Sequence, residues 1–301
     1  MSTKYPRTRL GRAVMVPVHH LYSVVGGQRV FYREAGSRDR PSVVLLHGFP
    51  TSSSMFRNLI PVLAERWHVI APDLLGFGLS DVPAPEEFTY SFDSLADTIG
   101  GLLTQLGIDR YALFVHDYGA PIGWRLALRT PDAVRAIVSQ SGNAYNEGFQ
   151  PEFFAAIREY WRSPSADAET GVRDLFTVDL VRWMYLSGAP DETLIDPSLW
   201  THDHDLLSRP GSDRVQLALF RDYANNLSLY PSVQRYFRDT QVPLLAVWGR
   251  NDPVFGPAGA IAFATDLPGA EVHLLDGGHF LLETALDDVA SLVTGFFNKH
   301  L

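Results

Sequence analysis

Residues 113–123 read LFVHDYGAPIG, and this stretch decides the fold. The apolar run from Tyr111 to Val115 predicts a buried strand. Glycines bracket the corner that follows, and Pro121 stands where the first turn of a helix is expected. Asp117 lies at the tip of this corner, where the positive end of the helix dipole favours a negative charge. We therefore expect an ionised carboxylate that points out of a sheet.

The corner has the pattern of the G-x-S-x-G nucleophile elbow, with Asp117 in place of the serine and Val115 in place of the first glycine. Strand patterns surround it, with a hairpin at 18–25 and 28–34 and further strands at 42–46, 67–71, 134–139, 242–248 and 271–275. Helix patterns separate these strands, at 53–66, 91–107 and 289–297. This repetition predicts an α/β fold with a mostly parallel central sheet flanked by helices.

Residues 144–236 interrupt this alternation with an aromatic-rich segment that has no buried-strand pattern. Helices separated by proline and glycine are the structure that this composition favours. We interpret the segment as a helical lid domain over the carboxyl edge of the sheet. The core of the fold then comprises residues 13–143 and 237–301, and the polar, basic residues 1–12 are expected to form a flexible tail.

The composition is that of an ordinary globular protein, with 46% hydrophobic and 20% charged residues among 301. The formal net charge of −9 argues against nucleic acid or a membrane surface as the main partner. The absence of cysteine excludes a disulfide framework and a thiolate nucleophile. Without a membrane-length apolar run or a signal-peptide pattern, we expect a cytoplasmic monomer or homodimer. No motif calls for a metal ion or an organic cofactor.

Side chains with catalytic potential follow four of the predicted strands. The first strand of the parallel series ends in the sequence HGFP at 47–50, and later strands end at Asp117, Asp252 and His279. In an open α/β sheet, ligands bind at the carboxyl ends of the strands. A nucleophile, then an acid, then a histidine is also the chain order of a known hydrolase triad. We expect these three side chains to meet at one edge of the sheet.

Five motifs, in order along the chain, carry a resemblance to a known family: HGFPTSS, DLLGFGLSD, HDYG, WGRNDP and GGHF. They resemble the α/β-hydrolase superfamily, in the branch that contains haloalkane dehalogenases and epoxide hydrolases. The resemblance covers nearly the whole chain. It implies an α/β-hydrolase fold with an inserted lid and an aspartate nucleophile, and it is much less specific for the substrate.

An aspartate nucleophile suits displacement at an sp3 carbon, because a carboxylate is already charged and needs no base to attack. The expected product is an ester of Asp117. His279 is then free to activate a water molecule that hydrolyses this ester, and Asp252 would orient His279. We expect the backbone N–H groups of Phe49 and Tyr118 to form the oxyanion hole.

The leaving group decides between the two activities of this branch. In the epoxide hydrolases that the chain resembles, two lid tyrosines supply a proton to the leaving oxygen. Tyr223, in the sequence DYANN at 222–226, matches the later of these tyrosines best. Tyr160 has a suitable position for the earlier one, and Tyr185 competes with it.

A leaving halide needs N–H donors instead. Haloalkane dehalogenases commonly place Trp after the nucleophile and Asn in the first loop, whereas this chain has Tyr118 and Phe49 there. Trp183 in the lid is one remaining source of an indole N–H. We therefore expect an epoxide hydrolase that uses water and a small or medium apolar substrate. A haloalkane dehalogenase is the second hypothesis, and a non-hydrolytic or ligand-binding member of the fold is the third.

Other histidines have structural interpretations. His47 and His116 flank the predicted site, and we expect each to brace a loop. The sequence HDHD at 202–205 resembles a metal-binding cluster, but it lacks the i, i+4 histidine pair of a helical site. We expect it to form a solvated loop of the lid.

Overall fold

A central sheet of eight strands organises the computed structural model, which describes residues 16–301; the expected tail at 1–12 lies outside this range. The strand order is β1-β2-β4-β3-β5-β6-β7-β8. The strands are β1 (Val18–Val25), β2 (Gln28–Ala35), β3 (Ser42–Leu46), β4 (His68–Pro72), β5 (Tyr111–His116), β6 (Val134–Gln140), β7 (Leu244–Gly249) and β8 (Glu271–Leu275). Every pair from β4 to β8 is parallel, which confirms the predicted fold class.

The first two strands form the predicted antiparallel hairpin. Gly26 and Gly27 both have positive φ, of 56° and 86°, which a two-residue hairpin turn of this kind requires. Strand β2 then pairs with β4, also antiparallel. Strands β3 and β5 lie at the centre of the sheet and are buried along their whole length. The predicted elbow therefore follows a strand that lies buried at the centre of the sheet.

Helices connect the strands and cover the sheet. They are α1 (Leu59–Ala64), α2 (Phe92–Gln105), α3 (Gly119–Arg129), α4 (Ala155–Arg162), α5 (Ala166–Arg173), α6 (Val178–Leu186), α7 (Pro197–Leu207), α8 (Ser212–Asp222), α9 (Ala224–Thr240), α10 (Pro257–Asp266), α11 (Leu281–Thr284) and α12 (Leu286–His300). Helix α2 begins as predicted, because the Ser91 side chain accepts a hydrogen bond from the Ser94 N–H. The single helix predicted at 53–66 is wrong: this segment forms a 3-10 turn at Ser53–Phe56 before α1.

Helices α4 to α9 all lie between β6 and β7, and we refer to residues 144–240 as the helical insertion. Helix α9 continues to Thr240, so residue 236 lies inside a helix. Aromatic side chains of the insertion contact residues at the strand ends: Phe220 packs on Phe49, and Tyr223 packs on Tyr118. The insertion therefore covers the carboxyl edge of the sheet at the predicted site. Among residues 16–301, no helix is long and apolar enough to cross a membrane.

Candidate active site

Asp117 occupies the tip of a strained turn between β5 and α3. Its φ of 48° lies in the left-handed region that non-glycine residues rarely adopt. The turn is tight because Gly119 approaches β3: a Cβ atom there would lie 2.1 Å from the carbonyl oxygen of Leu46. Strain of this kind is found at functional sites, where the surrounding structure over-determines the backbone. The elbow predicted from the sequence is therefore present in its geometry.

One carboxylate oxygen of Asp117 is held by two backbone donors. Oδ1 accepts hydrogen bonds from the N–H of Phe49 at 2.7 Å and from the N–H of Tyr118 at 2.6 Å. These are the two donors that the sequence predicted for an oxyanion hole. Gly48 permits the arrangement, because a Cβ atom at this position would lie 2.2 Å from Oδ1. The second oxygen, Oδ2, is left free of these donors.

Asp252 and His279 form a buried pair beside Asp117. Nδ1 of His279 lies 3.0 Å from Oδ2 and 3.2 Å from Oδ1 of Asp252. Oδ1 of Asp252 also accepts the N–H groups of Val254 and Phe255, at 2.8 and 3.0 Å. A carboxylate accepts hydrogen bonds, so Nδ1 of His279 carries a proton, and Nε2 presents a lone pair when the imidazole is neutral. Nε2 lies 4.0 Å from Oδ2 of Asp117 and has no hydrogen-bond partner among the described residues.

Burial and charge set the ionisation of this group. Burial raises the pKa of Asp117 to about 6, against the opposing effects of His279 and the two backbone donors. Burial alone lowers the pKa of His279, but the charge and hydrogen bond of Asp252 and the charge of Asp117 outweigh it and raise that pKa. Asp117 is therefore mostly ionised at neutral pH, as expected. Its pKa is nevertheless higher than the effect of the helix dipole alone would give.

Two further histidines lie next to the site. Nε2 of His47 accepts the Leu74 N–H at 3.0 Å, so its Nδ1 carries the proton and donates to the Gly48 carbonyl. This side chain braces two loops, as predicted. His116 donates from Nδ1 to the Gln140 carbonyl, and its ring centre lies 4.6 Å from that of His279. Burial and the neighbouring His279 hold the pKa of His116 well below its usual range.

A small apolar cavity lies over Asp117. Asp117, Tyr118 and Tyr223 line it together with Phe49, Phe153 and five further apolar side chains. Its volume of about 10 Å³ is enough for roughly one water molecule. An open cavity of about 650 Å³ lies beside it, and Phe153 lines both. A substrate larger than water therefore needs side chains of the insertion to move.

Four side chains were predicted as possible donors from the lid. The structure places one of them in the small cavity of Asp117 and the other three outside it. Tyr223 lines the small cavity, and its ring centre lies 5.7 Å from that of Tyr118. Tyr160 is not among the lining residues; it lies in α4, where the charged groups that influence it are those of α5 and α8. Tyr185 donates to Asp203 at 2.6 Å, and Trp183 lines the open cavity with 40% of its surface exposed.

The expectation for the sequence HDHD is also wrong in part. Residues 202–205 lie in helix α7, not in a loop, and Asp203 is buried against the hydroxyl group of Tyr185. Burial raises the pKa of Asp203 to about 7. Among the described residues, no group of three or more His, Cys, Asp or Glu side chains is arranged to hold a metal ion.

Sequence reasoning missed Ser141 and Phe153. Ser141 follows β6 and donates from Oγ to Oδ2 of Asp252 at 2.6 Å. Its position after a central strand, in the sequence SGN, was the available signal. Phe153 lies in a run of aromatic residues and has no individual signal.

Comparison with known proteins gives the family. The family model described as the alpha/beta hydrolase fold matches residues 41–286. An uncharacterized hydrolase of Saccharomyces cerevisiae is 43% identical over 93% of this chain and 97% of its own length. Haloalkane dehalogenase 2 of Mycobacterium tuberculosis is 30% identical over 88% of this chain and 90% of its own length.

A solved structure shows the same fold. The epoxide hydrolase VrEH1 of Vigna radiata superposes with a TM-score of 0.74 at 23% identity, over 94% of this chain and 98% of the other. The family match includes the strands that precede Asp117, Asp252 and His279. The two relatives are named as a hydrolase and a haloalkane dehalogenase, and each aligns with this chain over at least 90% of its own length. The chain belongs to the α/β-hydrolase family, as a hydrolase of the branch that contains epoxide hydrolases and haloalkane dehalogenases.

Proposed function

We propose that the protein is an epoxide hydrolase that converts small or medium apolar epoxides to diols through an ester of Asp117. The observation that carries this proposal is the shared cavity of Asp117 and Tyr223. This cavity brings together the carboxylate that would attack carbon and the tyrosine side chain whose hydroxyl group would protonate the leaving oxygen. The rest of the lining is largely apolar, which is typical of sites for small apolar ligands.

The first step opens the epoxide ring. Oδ2 of Asp117, which the oxyanion donors leave free, attacks one ring carbon, and the bond from this carbon to the ring oxygen breaks. The alkoxide that forms takes a proton from the hydroxyl group of Tyr223. Burial raises the pKa of Tyr223 well above its usual value, so this phenol is protonated at neutral pH and able to donate.

The second step hydrolyses the ester. Nε2 of His279 takes a proton from a water molecule, and the resulting hydroxide attacks Cγ of Asp117. The negative charge that develops on Oδ1 is stabilised by the N–H groups of Phe49 and Tyr118, which already point at this atom. The intermediate collapses by breaking the bond from Cγ to Oδ2, and His279 returns its proton to the leaving diol oxygen. The second proton of the water molecule, now on the carboxyl group of Asp117, passes to the Tyr223 phenolate, so Asp117, His279 and Tyr223 regain their starting states.

The indole groups of the chain argue against a halide leaving group. Trp124, Trp161 and Trp248 each donate their N–H to a backbone carbonyl, at 3.0, 2.7 and 2.7 Å. Trp183 lines the open cavity and not the cavity of Asp117. No tryptophan is among the residues that line the small cavity, so a halide there would lack an indole donor. A haloalkane dehalogenase remains the second candidate because of the relative in Mycobacterium tuberculosis.

Trapping of the ester tests the proposal. His279→Gln blocks the second step, and its intact mass is recorded after incubation with a panel of epoxides and of chloroalkanes and bromoalkanes. An adduct of the whole substrate mass supports epoxide opening, and an adduct lighter by the hydrogen halide supports dehalogenation. The double variant Asp117→Asn/His279→Gln is the control and should remain unlabelled. Unchanged mass with both panels, together with binding of a ligand that is not turned over, contradicts the covalent mechanism.

The role of Tyr223 is tested separately. Tyr223→Phe should slow formation of the trapped ester from epoxides by about 10²-fold or more, because it removes the proton donor. Tyr236→Phe is the matched control, since Tyr236 is a buried tyrosine of α9 that neither lines the small cavity nor is among the groups that act on Tyr223. Equal rates of ester formation in the parent and Tyr223→Phe contradict the assignment.

A further inference from the structure

Ser141 makes a short contact with the acid of the candidate triad. Its Oγ donates to Oδ2 of Asp252 at 2.6 Å, and Nδ1 of His279 lies 3.0 Å from the same oxygen. All three side chains are buried. Oδ2 of Asp252 is therefore shared between the hydroxyl group and the imidazole.

The turn after β6 is built so that Ser141 points at Asp252. Ser141 has a φ of 52°, in the left-handed region that is unfavourable for serine. Ser139 holds this turn, because its Oγ donates to the carbonyl of Gly142 at 2.6 Å. Gly142 has no room for a side chain, since a Cβ atom there would lie 2.7 Å from Oγ of Ser139. A strained backbone at this place is maintained by specific neighbours.

We propose that Ser141 is a positioning residue that fixes Asp252 and limits how strongly Asp252 holds the proton of His279. A hydroxyl group that donates to a carboxylate withdraws part of its negative charge. Less charge then acts on the imidazole, and the cationic form of His279 is stabilised less. Because His279 must be neutral to take a proton from water, the hydroxyl group extends ester hydrolysis to lower pH.

The groups around His279 are few, which makes this effect measurable. Asp252 faces Nδ1, and Asp117 lies 4.0 Å from Nε2. His116 packs on the ring from β5. Phe255 and Phe280 are the other aromatic side chains packed near the imidazole ring, and they carry no charge. Ser141 is thus a neutral dipole whose loss changes the field at His279 without removing an ion.

Two variants separate the hydroxyl group from the backbone strain. Ser141→Ala removes the hydroxyl group and keeps an unfavourable φ, whereas Ser141→Gly removes the hydroxyl group and relieves the strain. The pKa of His279 is measured in each by NMR titration of the labelled imidazole in the free protein. We expect both variants to shift the titration of His279 upward by a similar amount, roughly half a pH unit or more. Glycine should nevertheless give the higher melting temperature.

A third variant restores the hydroxyl group. Ser141→Thr should return the titration of His279 toward that of the parent, although a β-branched residue at positive φ lowers the melting temperature. An unchanged titration in both Ala and Gly variants overturns the proposal, as does a shift in Ser141→Ala that is absent from Ser141→Gly. The inference rests on the proposed triad but not on the substrate, because this titration uses the free protein. If the epoxides fail to label the His279→Gln variant, the titration of His279 in the Ser141 variants still tests the role of Ser141.

Discussion

Nε2 of His279 lies 4.0 Å from Oδ2 of Asp117, close enough for strong charge coupling but too far for a direct hydrogen bond. The charge of Asp117 contributes to the raised pKa of His279. Formation of an ester at Asp117 removes this charge. In the proposed mechanism Asp117 therefore controls His279: the ionised carboxylate favours imidazolium in the free protein, and the ester favours the neutral base that the second step needs.

The first prediction follows from this coupling. The pH midpoint of ester hydrolysis should lie below the pKa of His279 in the free protein. A difference of about one unit or more is expected, since unit charges 4 Å apart interact by roughly 4 kcal/mol at an effective dielectric constant of about 20. Rapid quenching followed by intact-mass analysis gives the rate of ester decay, and NMR gives the titration of the free protein. A midpoint equal to or above the free-protein value contradicts the coupling.

The second prediction concerns the pH dependence of ester formation. Asp117 must be ionised to attack, and its pKa of about 6 places the loss of this form near neutral pH. In the parent, the rate of ester formation should fall about tenfold per unit below pH 6. In His279→Gln the midpoint should move upward, because the charge of His279 lowers the pKa of Asp117. A midpoint near 4, the ordinary range of a carboxyl group, would show that burial does not control Asp117.

The third prediction is that Asp117, the proposed nucleophile, destabilises the folded protein at neutral pH. The pKa of Asp117 is raised from 3.8 to about 6 in the folded protein, so its contribution to stability is full below pH 3.8 and is lost as pH rises through 6. Asp117→Asn removes the charge, keeps an acceptor for Phe49 and Tyr118, and tolerates the positive φ better.

We therefore expect Asp117→Asn to abolish turnover and to raise the free energy of unfolding at pH 7.5. The gain relative to the parent should be up to about 3 kcal/mol, the free energy that corresponds to a pKa shift of this size. At pH 4 the gain should largely disappear. Urea unfolding at both pH values measures it, and a gain that does not depend on pH would assign the effect to backbone strain alone.

The strand ends could be predicted from the sequence because their signals are local. Buried parallel strands are continuous apolar runs, and the residue that follows each run lies at one edge of the sheet. Asp117, Asp252 and His279 were located in this way, and the structure brings them within hydrogen-bond or near-contact distance. The oxyanion donors follow from the same geometry, since the residue after the elbow must present its N–H to Oδ1.

The sequence could not predict which side chains of the insertion face Asp117, because their direction depends on how each helix is rotated about its axis. The sequence could not decide between Tyr160 and Tyr185 for the earlier tyrosine, and the hydroxyl group of Tyr185 is bound by Asp203, 18 residues away in another helix. Proline was expected only to separate helices of the insertion, whereas Pro197, preceded by the capping side chain of Asp196, begins helix α7. The partner of Ser141 lies 111 residues away, beyond the reach of any local pattern.

The fourth prediction tests the oxyanion hole. Gly48→Ala places a Cβ atom where it would lie 2.2 Å from Oδ1 of Asp117 and 2.5 Å from the Tyr118 nitrogen, so the two donors cannot keep their positions. Ester hydrolysis should slow by about 10²–10³-fold, the usual cost of one oxyanion donor. Gly295→Ala is the matched control, because a Cβ atom there meets nothing within 4 Å. If the Gly48 variant hydrolyses the ester at the parental rate, these N–H groups do not stabilise the oxyanion.

The fifth prediction concerns Phe153, the side chain that lines both the small cavity of Asp117 and the open cavity beside it. Its ring stacks on that of Trp183, with ring centres 6.2 Å apart and an interplanar angle of 6°. The small cavity holds about one water molecule, so a longer substrate must displace Phe153 before its reacting carbon reaches Asp117.

Phe153→Ala should therefore join the two cavities and change selectivity by substrate length. We expect kcat/KM for long-chain epoxides to rise relative to short ones by about tenfold, because burial of extra methylene groups is worth roughly 0.8 kcal/mol each. Leu180→Ala is the control, since Leu180 lines only the open cavity. Competition between a short and a long epoxide in one reaction measures the ratio directly. A ratio that changes equally in both variants would mean that Phe153 does not separate the cavities, and that substrates reach Asp117 by another route through the insertion.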